Sequence, residues 1–256
     1  MSAIPWRLGV VIPAHDEAER IRASVEATLA ALPEGRDSWV VVVADACRDN
    51  TEAIARAALS AGGEVIRTAG RCVGAARRAG AAAVARRFAE EATSRVWLLS
   101  TDADTRVPAD WVEGHLALAN QGAAAVAGVV EVDSWEGHSP DTCRRFTEAY
   151  ALPSNGEHAF VHGANLGVRL DAYLDVGGWP PLPRSEDRRL WSNLQQRQWR
   201  TVPSVASVVR TSGRMDARVP GGFGAWLRSG LVSPEEADKQ VILPATELVA
   251  RGGQRG

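Results

Sequence analysis

Lysine is almost missing from this chain of 256 residues, because its 29 basic residues include a single lysine, Lys239. A P-loop requires Gly-Lys-Ser/Thr directly after a strand, so the chain is not a P-loop nucleotide-binding protein. Schiff-base chemistry would have to use Lys239, which lies in a polar segment near the end of the sequence. The shortage of lysine excludes the first class and argues against the second.

Blocks of like charge and long apolar runs are also missing. With 29 basic residues, 31 acidic residues and a net charge of −2, the chain has no basic block suited to nucleic acid. The longest apolar run, residues 123–130, is less than half of the roughly 20 residues that a membrane span needs. We therefore expect no nucleic-acid partner and no transmembrane segment, while peripheral contact with a membrane stays open. The oligomeric state is not encoded in any motif.

Cysteine is scarce as well. The three cysteines, Cys47, Cys72 and Cys143, are odd in number and widely spaced, which excludes a disulfide framework and a CxxC metal site. Residues 1–17 reach a proline and a His-Asp-Glu cluster before any apolar region is long enough for a signal peptide. We expect a protein of a reducing compartment, the cytoplasm.

The first half of the sequence alternates short apolar runs with helical patterns, which is typical of βαβ units and a parallel sheet. Asp16, with Glu19 three residues later, predicts a capping box for the first helix. The predicted strands are residues 8–12, 39–43, 64–67 and 95–99, and helices are predicted after each of the first three.

The second half is less regular. Asp171 and Ser185 are predicted to cap two helices. The other predicted elements are strands at 123–133, 162–169 and 201–210 and a loop at 134–156 around a short helix at 142–150. The simplest organisation is one domain over residues 1–256, made of a nucleotide-binding half (about 1–105), an acceptor-binding half (about 106–230) and a C-terminal tail (231–256).

Two carboxylates, Asp102 and Asp104, follow directly after the predicted strand at 95–99. Side chains two residues apart on an extended chain point to the same side. Mg²⁺ and Mn²⁺ are held by one or two such oxygens together with the phosphates of a substrate. Ligands of open α/β sheets bind at the carboxyl ends of the strands, so a metal-bound diphosphate is predicted here. A solvated turn is the alternative for an isolated pair.

Seven segments occur in an order that resembles glycosyltransferase family 2. They span residues 8–215 and read VVIPAHDEAERI, VVVADACRDNT, GAARRAGAAAV, LLSTDADTRVPADW, GANLGVRLDAYLDVGGW, SEDRRLW and VVRTSGR. The resemblance implies an α/β protein of GT-A-like fold, with a mixed, mostly parallel central sheet flanked by helices. It also implies an inverting enzyme that moves a sugar from a nucleoside diphosphate, with a UDP-sugar favoured over a GDP-sugar and with Mn²⁺ or Mg²⁺ as cofactor. The sugar and the hydroxyl acceptor stay open.

The resemblance also implies roles for individual residues. Asp104 would hold the metal, and Asp187 would remove the proton of the acceptor hydroxyl while Glu186 positions donor or acceptor. The implied nucleotide-sugar contacts are Pro13, Ala14, Glu17, Asp45, Arg71, Asp102, Arg210 and Arg214. Arg71 precedes a helix whose N-terminus would suit an anion. The implied acceptor-pocket residues are His162, Asn165 and Trp179.

Each of these assignments has a structural alternative. Glu186 and Asp187 could be ordinary first-turn acids of a helix capped by Ser185. Arg77 and Arg78 read as a solvated helix face, and buried histidine or tryptophan side chains are most often core residues. The segments 134–156 and 211–224 are expected to be loops that close over the site, with Arg214 gaining a diphosphate partner only when nucleotide binds.

Two other functions stay open. A nucleotidyltransferase on a similar sheet would normally carry a glycine-rich loop with a lysine after the first strand, where this chain has IPAHDE. A catalytically silent nucleotide-sugar-binding subunit would have no need of the Glu186-Asp187 pair. An NAD-binding Rossmann protein is disfavoured because GxGxxG is missing after the first strand.

Overall fold

The structure, a computed structural model, describes residues 6–150 and 158–214. These residues fall into two compact units. The first holds described residues 6–136 and 158–214, and the second holds described residues 137–150. The predicted tail at 231–256 and most of the predicted closing loop at 211–224 lie outside the described residues.

Helices and strands alternate along the described chain, with 3-10 turns at Thr93–Arg95 and Gly163–Asn165. The elements are β1 (Arg7–Ala14), α1 (Ile21–Ala31), β2 (Ser38–Asp45), α2 (Thr51–Leu59), β3 (Gly63–Thr68), α3 (Val73–Arg87), β4 (Val96–Ser100), β5 (Thr105–Arg106), α4 (Trp111–Asn120), β6 (Ala125–Val132), α5 (Pro140–Ala149), β7 (Leu166–Arg169), α6 (Leu170–Asp175), α7 (Glu186–Gln196) and β8 (Thr201–Thr211).

All eight strands belong to one sheet, in the order β3-β2-β1-β4-β7-β6-β8-β5. The β3-β2-β1-β4 half is parallel, and β6 also pairs with β8 in parallel. The pairs β4-β7, β7-β6 and β8-β5 are antiparallel. The predicted α/β fold with a mixed, mostly parallel sheet is confirmed.

The parallel half of the sheet explains the apolar runs seen in the sequence. The valines of β2 at 40–43 are fully buried because helices cover both faces of the sheet. The carboxyl ends of β1, β2 and β4 meet at one edge, and Ala14, Asp45 and Ser100 are their last residues. This edge is where the predicted site residues are brought together.

Helix α3 lies unusually close to β1 and β2. A Cβ atom at Gly80 would be 2.4 Å from Val11 Cγ1 and 3.0 Å from Val43 Cγ2, so only glycine allows this approach. The alanine-rich sequence of α3 supplies the other small side chains, including buried Ala76 and Ala81. The close packing directs the N-terminal half of α3 toward the carboxyl edge of the sheet.

Three predicted helix caps differ from the structure. Asp171 lies in the first turn of α6, whose N-cap is Arg169. Asp16 does not cap α1, whose N-cap is Arg20; Asp16 has φ +52°, and its Oδ1 accepts a hydrogen bond from the Arg48 N–H at 2.7 Å. The chain turns sharply after β1, which carries the Asp16 side chain to the neighbouring loop. Ser185 is the N-cap residue of α7, but it has φ +57° and its side chain makes no capping hydrogen bond.

Other differences concern element boundaries. The strand predicted at 162–169 begins only at Leu166, because residues 163–165 form a 3-10 turn. The sequence interpretation also lacked α4 and the two-residue strand β5. Strand β5 depends on its pairing with β8, which follows it by about a hundred residues, so no local pattern specifies it.

Candidate active site

Charged side chains from five parts of the chain converge at the carboxyl edge of the parallel strands. Glu17 follows β1, Asp102 and Asp104 follow β4, and the Glu186-Asp187 pair opens α7. The segment after β4 is a turn, in which the Thr105 N–H donates to the Asp102 carbonyl at 3.1 Å. The Ser24 hydroxyl also donates to that carbonyl, at 2.9 Å. The turn is therefore anchored at the Asp102 carbonyl by one backbone N–H and one hydroxyl.

One arginine of α3 joins the two acidic motifs. Arg77 is 3% exposed, and its Nε donates to Ser100 Oγ at 3.0 Å. Its Nη1 donates to Glu186 Oε1, and its Nη2 donates to Asp102 Oδ1. Burial raises the pKa of Glu186 to about 7, against the lowering effect of the Arg77 charge. The two carboxylates are held in place by a single guanidinium.

A second arginine occupies the space between Glu17 and Asp104. Arg214 Nη1 donates to Glu17 Oε2 at 2.6 Å, and Nη2 donates to Glu17 Oε1. The same Nη2 lies 3.2 Å from Asp104 Oδ2. Burial raises the pKa of Asp104 to about 7, while the charge of Arg214 acts in the opposite direction. Arg214 therefore has carboxylate partners in the absence of nucleotide.

Asp102 and Asp104 thus face two different guanidinium groups. The expectation that they share one side of an extended chain is corrected, because the segment turns immediately after β4. The carboxylate oxygens of Asp104 and Glu17 surround the Arg214 guanidinium. Such hard oxygens are the donors that Mg²⁺ and Mn²⁺ require. The residues present fit a divalent cation.

The carboxylate of Asp187 is oriented by two backbone amides. Its Oδ2 accepts from the Gly163 N–H at 2.8 Å, and its Oδ1 accepts from the Arg188 N–H at 2.8 Å. His162 precedes Gly163, and burial lowers its pKa to about 4, so its ring is neutral at pH 7. Asp187 is partly buried, and the 3-10 turn at 163–165 fixes its direction.

Asp45 secures the loop between β3 and α3. Its Oδ1 accepts from the Thr68 hydroxyl at 2.8 Å and from the Gly70 N–H at 2.9 Å, and its Oδ2 accepts from the Cys72 N–H at 2.8 Å. Arg71 lies within this loop at φ +45° with an exposed side chain. Asp45 therefore positions the loop that carries Arg71.

The N-terminus of α3 is already covered. The Gly74 N–H donates to the Leu182 carbonyl at 3.0 Å, and a Cβ at Gly74 would be 2.2 Å from the Pro180 carbonyl oxygen. The predicted anion site at this helix terminus is corrected, because the loop at 180–182 fills the space in front of it.

The turn at the end of β1 lies beside Asp45. Pro13 pairs with Val43 in the sheet, and the Ala14 carbonyl accepts from the Cys47 thiol at 3.3 Å. His15 Nδ1 lies 2.6 Å from the Asp45 carbonyl oxygen. Pro13 and Ala14 therefore form part of the same edge as Asp45.

A further cluster of possible ligand atoms comprises Asp16, Cys47 and Asp49. Each already has a local partner. Asp16 accepts a hydrogen bond from the Arg48 N–H, and the Cys47 thiol donates one to the Ala14 carbonyl. Asp49 accepts from the Thr51 N–H and the Ala18 N–H. The cluster holds the loop between β2 and α2.

Three predicted site residues lie elsewhere. Trp179 is fully buried in the hydrophobic core, with its ring edge-on to Tyr173 at 5.2 Å between centroids. The side chain of Arg210 is 72% exposed and lies 3.6 Å from Glu131. Neither side chain contacts the charged cluster in the structure.

Asn165 is the third of these residues and is also fully buried. It accepts from Trp111 Nε1–H at 2.9 Å and lies 3.1 Å from His115 Nε2. Its amide nitrogen donates to the Val129 carbonyl at 2.9 Å and to the Ser207 carbonyl at 3.0 Å. Asn165 therefore has no surface to offer to an acceptor, and it ties β6 to β8 at the bulge where their pairing shifts.

The sequence interpretation missed Arg77 as a member of the site. A signal was present, since residues 77, 81 and 84 lie on one helical face and Ala81 and Val84 are buried. A charged side chain on such an apolar stripe is typical of a residue with a buried partner. Arg78, its neighbour, is exposed as expected.

Comparisons with known proteins place the chain in a family. The sequence profile of glycosyl transferase family 2 matches residues 9–177, and the chain belongs to this family. The resemblance seen in the ordered motifs is confirmed. No curated protein matches the sequence. Within residues 6–150 and 158–214, no helix combines the length and apolarity needed to cross a membrane.

Solved structures share the fold at low sequence identity. TarS 1–349 from S. aureus, in complex with UDP-GlcNAc, has a TM-score of 0.59 and 16% identity, over 91% of this chain and 64% of that one. The mannosyltransferase PcManGT from Pyrobaculum calidifontis, in complex with GDP-Man and Mn²⁺, has a TM-score of 0.58 and 19% identity, over 87% and 60%. The chain thus spans about three fifths of the length of these proteins.

Proposed function

We propose that this protein transfers a sugar from a UDP-sugar to a hydroxyl acceptor, with inversion at the anomeric carbon and with Mn²⁺ or Mg²⁺ as cofactor. The observation that carries the proposal is the shared guanidinium of Arg77, which brings the carboxylate of Asp102 and the Glu186-Asp187 pair to one site. Membership of family 2 and the nucleotide sugars bound by similar structures support it. The three free cysteines support work in a reducing compartment such as the cytoplasm.

The cation side of the site comprises Asp104 and Arg214. Asp104 would hold the metal, which when bound neutralises charge on the departing diphosphate. The Arg214 guanidinium, which lies 3.2 Å from Asp104 in the structure, would leave this carboxylate to a divalent cation held there. Arg214 is then released toward the diphosphate oxygens, for which the arginine fork is suited. Glu17, Asp45, Asp102 and Arg71 complete the proposed nucleotide side.

The base side of the site is Asp187. The acceptor oxygen forms its bond to the anomeric carbon as the bond from that carbon to the diphosphate oxygen breaks, and the hydroxyl proton passes to Asp187. Two backbone amides hold the Asp187 carboxylate in a fixed direction. Glu186 cannot take this role while its carboxylate is bound to Arg77, so the proposal assigns it to positioning.

A panel of nucleotide sugars with Mn²⁺, read by thermal shift, tests the donor. A ligand at 100 times its Kd stabilises by about 2.7 kcal/mol, which raises Tm by roughly 5–10 °C for a domain of this size. We expect this shift with UDP-sugars, and its loss in Asp104→Asn. A shift with GDP-sugars alone would overturn the UDP assignment.

The donor that binds is then incubated with hydroxyl acceptors, and the product is examined by NMR. We expect UDP release and a glycoside of inverted anomeric configuration. A retained configuration would contradict direct displacement. Binding without UDP release, to any acceptor or to water, would favour the catalytically silent subunit.

A further inference from the structure

Arg77 has more partners than an ordinary buried ion pair. Its guanidinium contacts Ser100 at the end of β4, Asp102 in the following turn and Glu186 at the start of α7. A buried guanidinium is costly to desolvate unless its donors are satisfied, and here all three nitrogens donate. The three acceptors come from two parts of the chain, the end of β4 and the start of α7, so Arg77 fixes how these two parts lie relative to each other.

A fourth contact reaches the proposed base. A Cβ at Gly163 would lie 2.4 Å from Arg77 Cζ, so the 3-10 turn at 163–165 packs directly on the guanidinium. The N–H of Gly163 donates to Asp187 Oδ2 at 2.8 Å. A continuous path therefore leads from Asp102, through Arg77 and Gly163, to Asp187.

We propose that Arg77 is a positioning residue that sets the distance between the donor side of the site and Asp187. The inference rests on the proposed function and goes beyond it, because it names the residue that holds the donor side and Asp187 at a fixed distance. Glu186 acts as the tether that keeps α7 on Arg77. Lysine cannot replace Arg77, because one ammonium lacks the planar fork that reaches three acceptors and supports Gly163.

Arg77→Lys is the main variant, and Arg78→Lys is its matched control on the same helix. Arg78 is exposed, and its Nη1 donates to the Trp179 carbonyl at 3.4 Å. We expect Arg77→Lys to reduce kcat about 10²-fold with little change in donor KM, since small misplacements of reacting groups have effects of this size. Arg78→Lys should match the wild type.

Combination with Asp187→Asn separates positioning from general loss of structure. If Arg77 acts through Asp187, Arg77→Lys should lower turnover by less than about threefold in the Asp187→Asn background. A merely structural role predicts the same fold-loss in both backgrounds, which would overturn the inference.

Amide hydrogen exchange gives a readout that does not depend on turnover. In Arg77→Lys we expect exchange of the Gly163 amide to rise at least tenfold, while the amides in the middle of α3 and α7 keep wild-type protection. Gly163→Ala serves as a second variant should Arg77→Lys fold poorly, because its added Cβ displaces the turn while Arg77 remains; it should reduce kcat similarly.

The outcomes distinguish this inference from the proposed function. A wild type that releases no UDP under any condition contradicts the proposed function and is seen before any variant is made. An active wild type with unchanged Gly163 exchange in Arg77→Lys overturns the inference alone.

Discussion

At the scale of single residues, the site works through side chains that serve more than one partner. Arg214 illustrates this: one guanidinium contacts both Glu17 and Asp104. Glu17 is 6% exposed, so Arg214 supplies hydrogen bonds that bulk water cannot. A cation that enters must therefore compete with Arg214, and the same arginine becomes available to a diphosphate when it is displaced.

Arg214→Ala should have opposite effects on two ligands. Removal of the guanidinium leaves two carboxylates without their cation, so affinity for Mn²⁺ alone should rise by about tenfold or more. Affinity for UDP in the presence of Mn²⁺ should fall by roughly 10–100-fold, because a charge-assisted hydrogen bond is lost. Titration calorimetry at one fixed pH measures both.

Arg210→Ala is the matched control for this experiment, since Arg210 is mostly exposed and lies away from Glu17 and Asp104. It should bind both ligands as the wild type does. Weaker binding of Mn²⁺ alone to Arg214→Ala would contradict competition between arginine and metal.

Asp187→Asn tests the base at the same scale. The amide is isosteric and can still accept from Gly163 through its oxygen, so the local structure should survive. Turnover should fall by roughly 10²–10⁴, with donor Kd nearly unchanged. Asp175→Asn, on the surface of α6, controls for loss of a carboxylate. An equal loss of UDP-sugar affinity in Asp187→Asn would place Asp187 on the donor side instead.

At the scale of elements, α3 determines where Arg77 reaches. Gly80 allows the helix to approach Val11 and Val43, and Gly9 of β1 lies under Val84, where a Cβ would be 2.1 Å from Val84 Cγ1. The position of the α3 axis therefore depends on the absence of a Cβ atom at both Gly9 and Gly80. A shift of α3 away from the sheet would move Arg77 with it.

Gly80→Ala should therefore destabilise the protein by about 1–3 kcal/mol through overpacking. Urea denaturation measures this. Gly70→Ala is the matched control, because a Cβ there meets only Cys72 Cβ at 3.9 Å. Gly70→Ala should leave the free energy of unfolding unchanged or raise it slightly. Glycine-to-alanine changes have this effect where the backbone conformation suits alanine. Equal destabilisation by both variants would contradict the packing argument.

Much of the fold could be predicted from local sequence, and the reasons are visible in particular elements. The strands β1, β2 and β4 are continuous apolar runs because both faces of the sheet are covered. The predicted ends of these three strands lie within one or two residues of their ends in the structure. Strand β7 was misjudged at its start, because residues 163–165 are buried like the strand that follows but form a 3-10 turn.

The candidate site was predictable only in part. The motifs identified Asp102, Asp104 and Asp187, and the structure brings their segments to one edge. The role of Arg77 depends on Glu186, 109 residues away, and Arg214 contacts Glu17 across 197 residues. No local pattern encodes contacts of that length. Asn165 shows the converse case, since a polar residue in a matched motif proved to be a hydrogen-bond centre of the core.

At the scale of the whole molecule, buried neutral histidine makes stability depend on pH. His115 is 1% exposed, and burial lowers its pKa to about 4. Unfolded His115 takes up a proton near pH 6.5, whereas the folded group does so only near pH 4. The unfolded state therefore binds more protons between these values, and stability is lost as the pH falls from 6.5 toward 4.

The size of this effect follows from the pKa difference. His115 should contribute a loss of about 3 kcal/mol in the free energy of unfolding across that range. Urea denaturation at pH 7.5, 5.5 and 4 measures it, and the slope should be smaller in His115→Gln. His138→Gln, in the second unit, is the control. An identical pH slope in wild type and His115→Gln would contradict the argument.

The contact of Arg214 with Glu17 and Asp104 has a consequence for how the empty protein behaves. An internal guanidinium supplies the positive charge that clustered carboxylates need, so the apoprotein does not require a metal to remain folded. Prolonged dialysis against a chelator should leave Tm unchanged. Mn²⁺ alone should raise Tm only slightly, because it replaces one cation with another. Metal and nucleotide together should raise Tm far more. Under the proposed mechanism, a shortage of metal would therefore stop turnover while the protein stays folded.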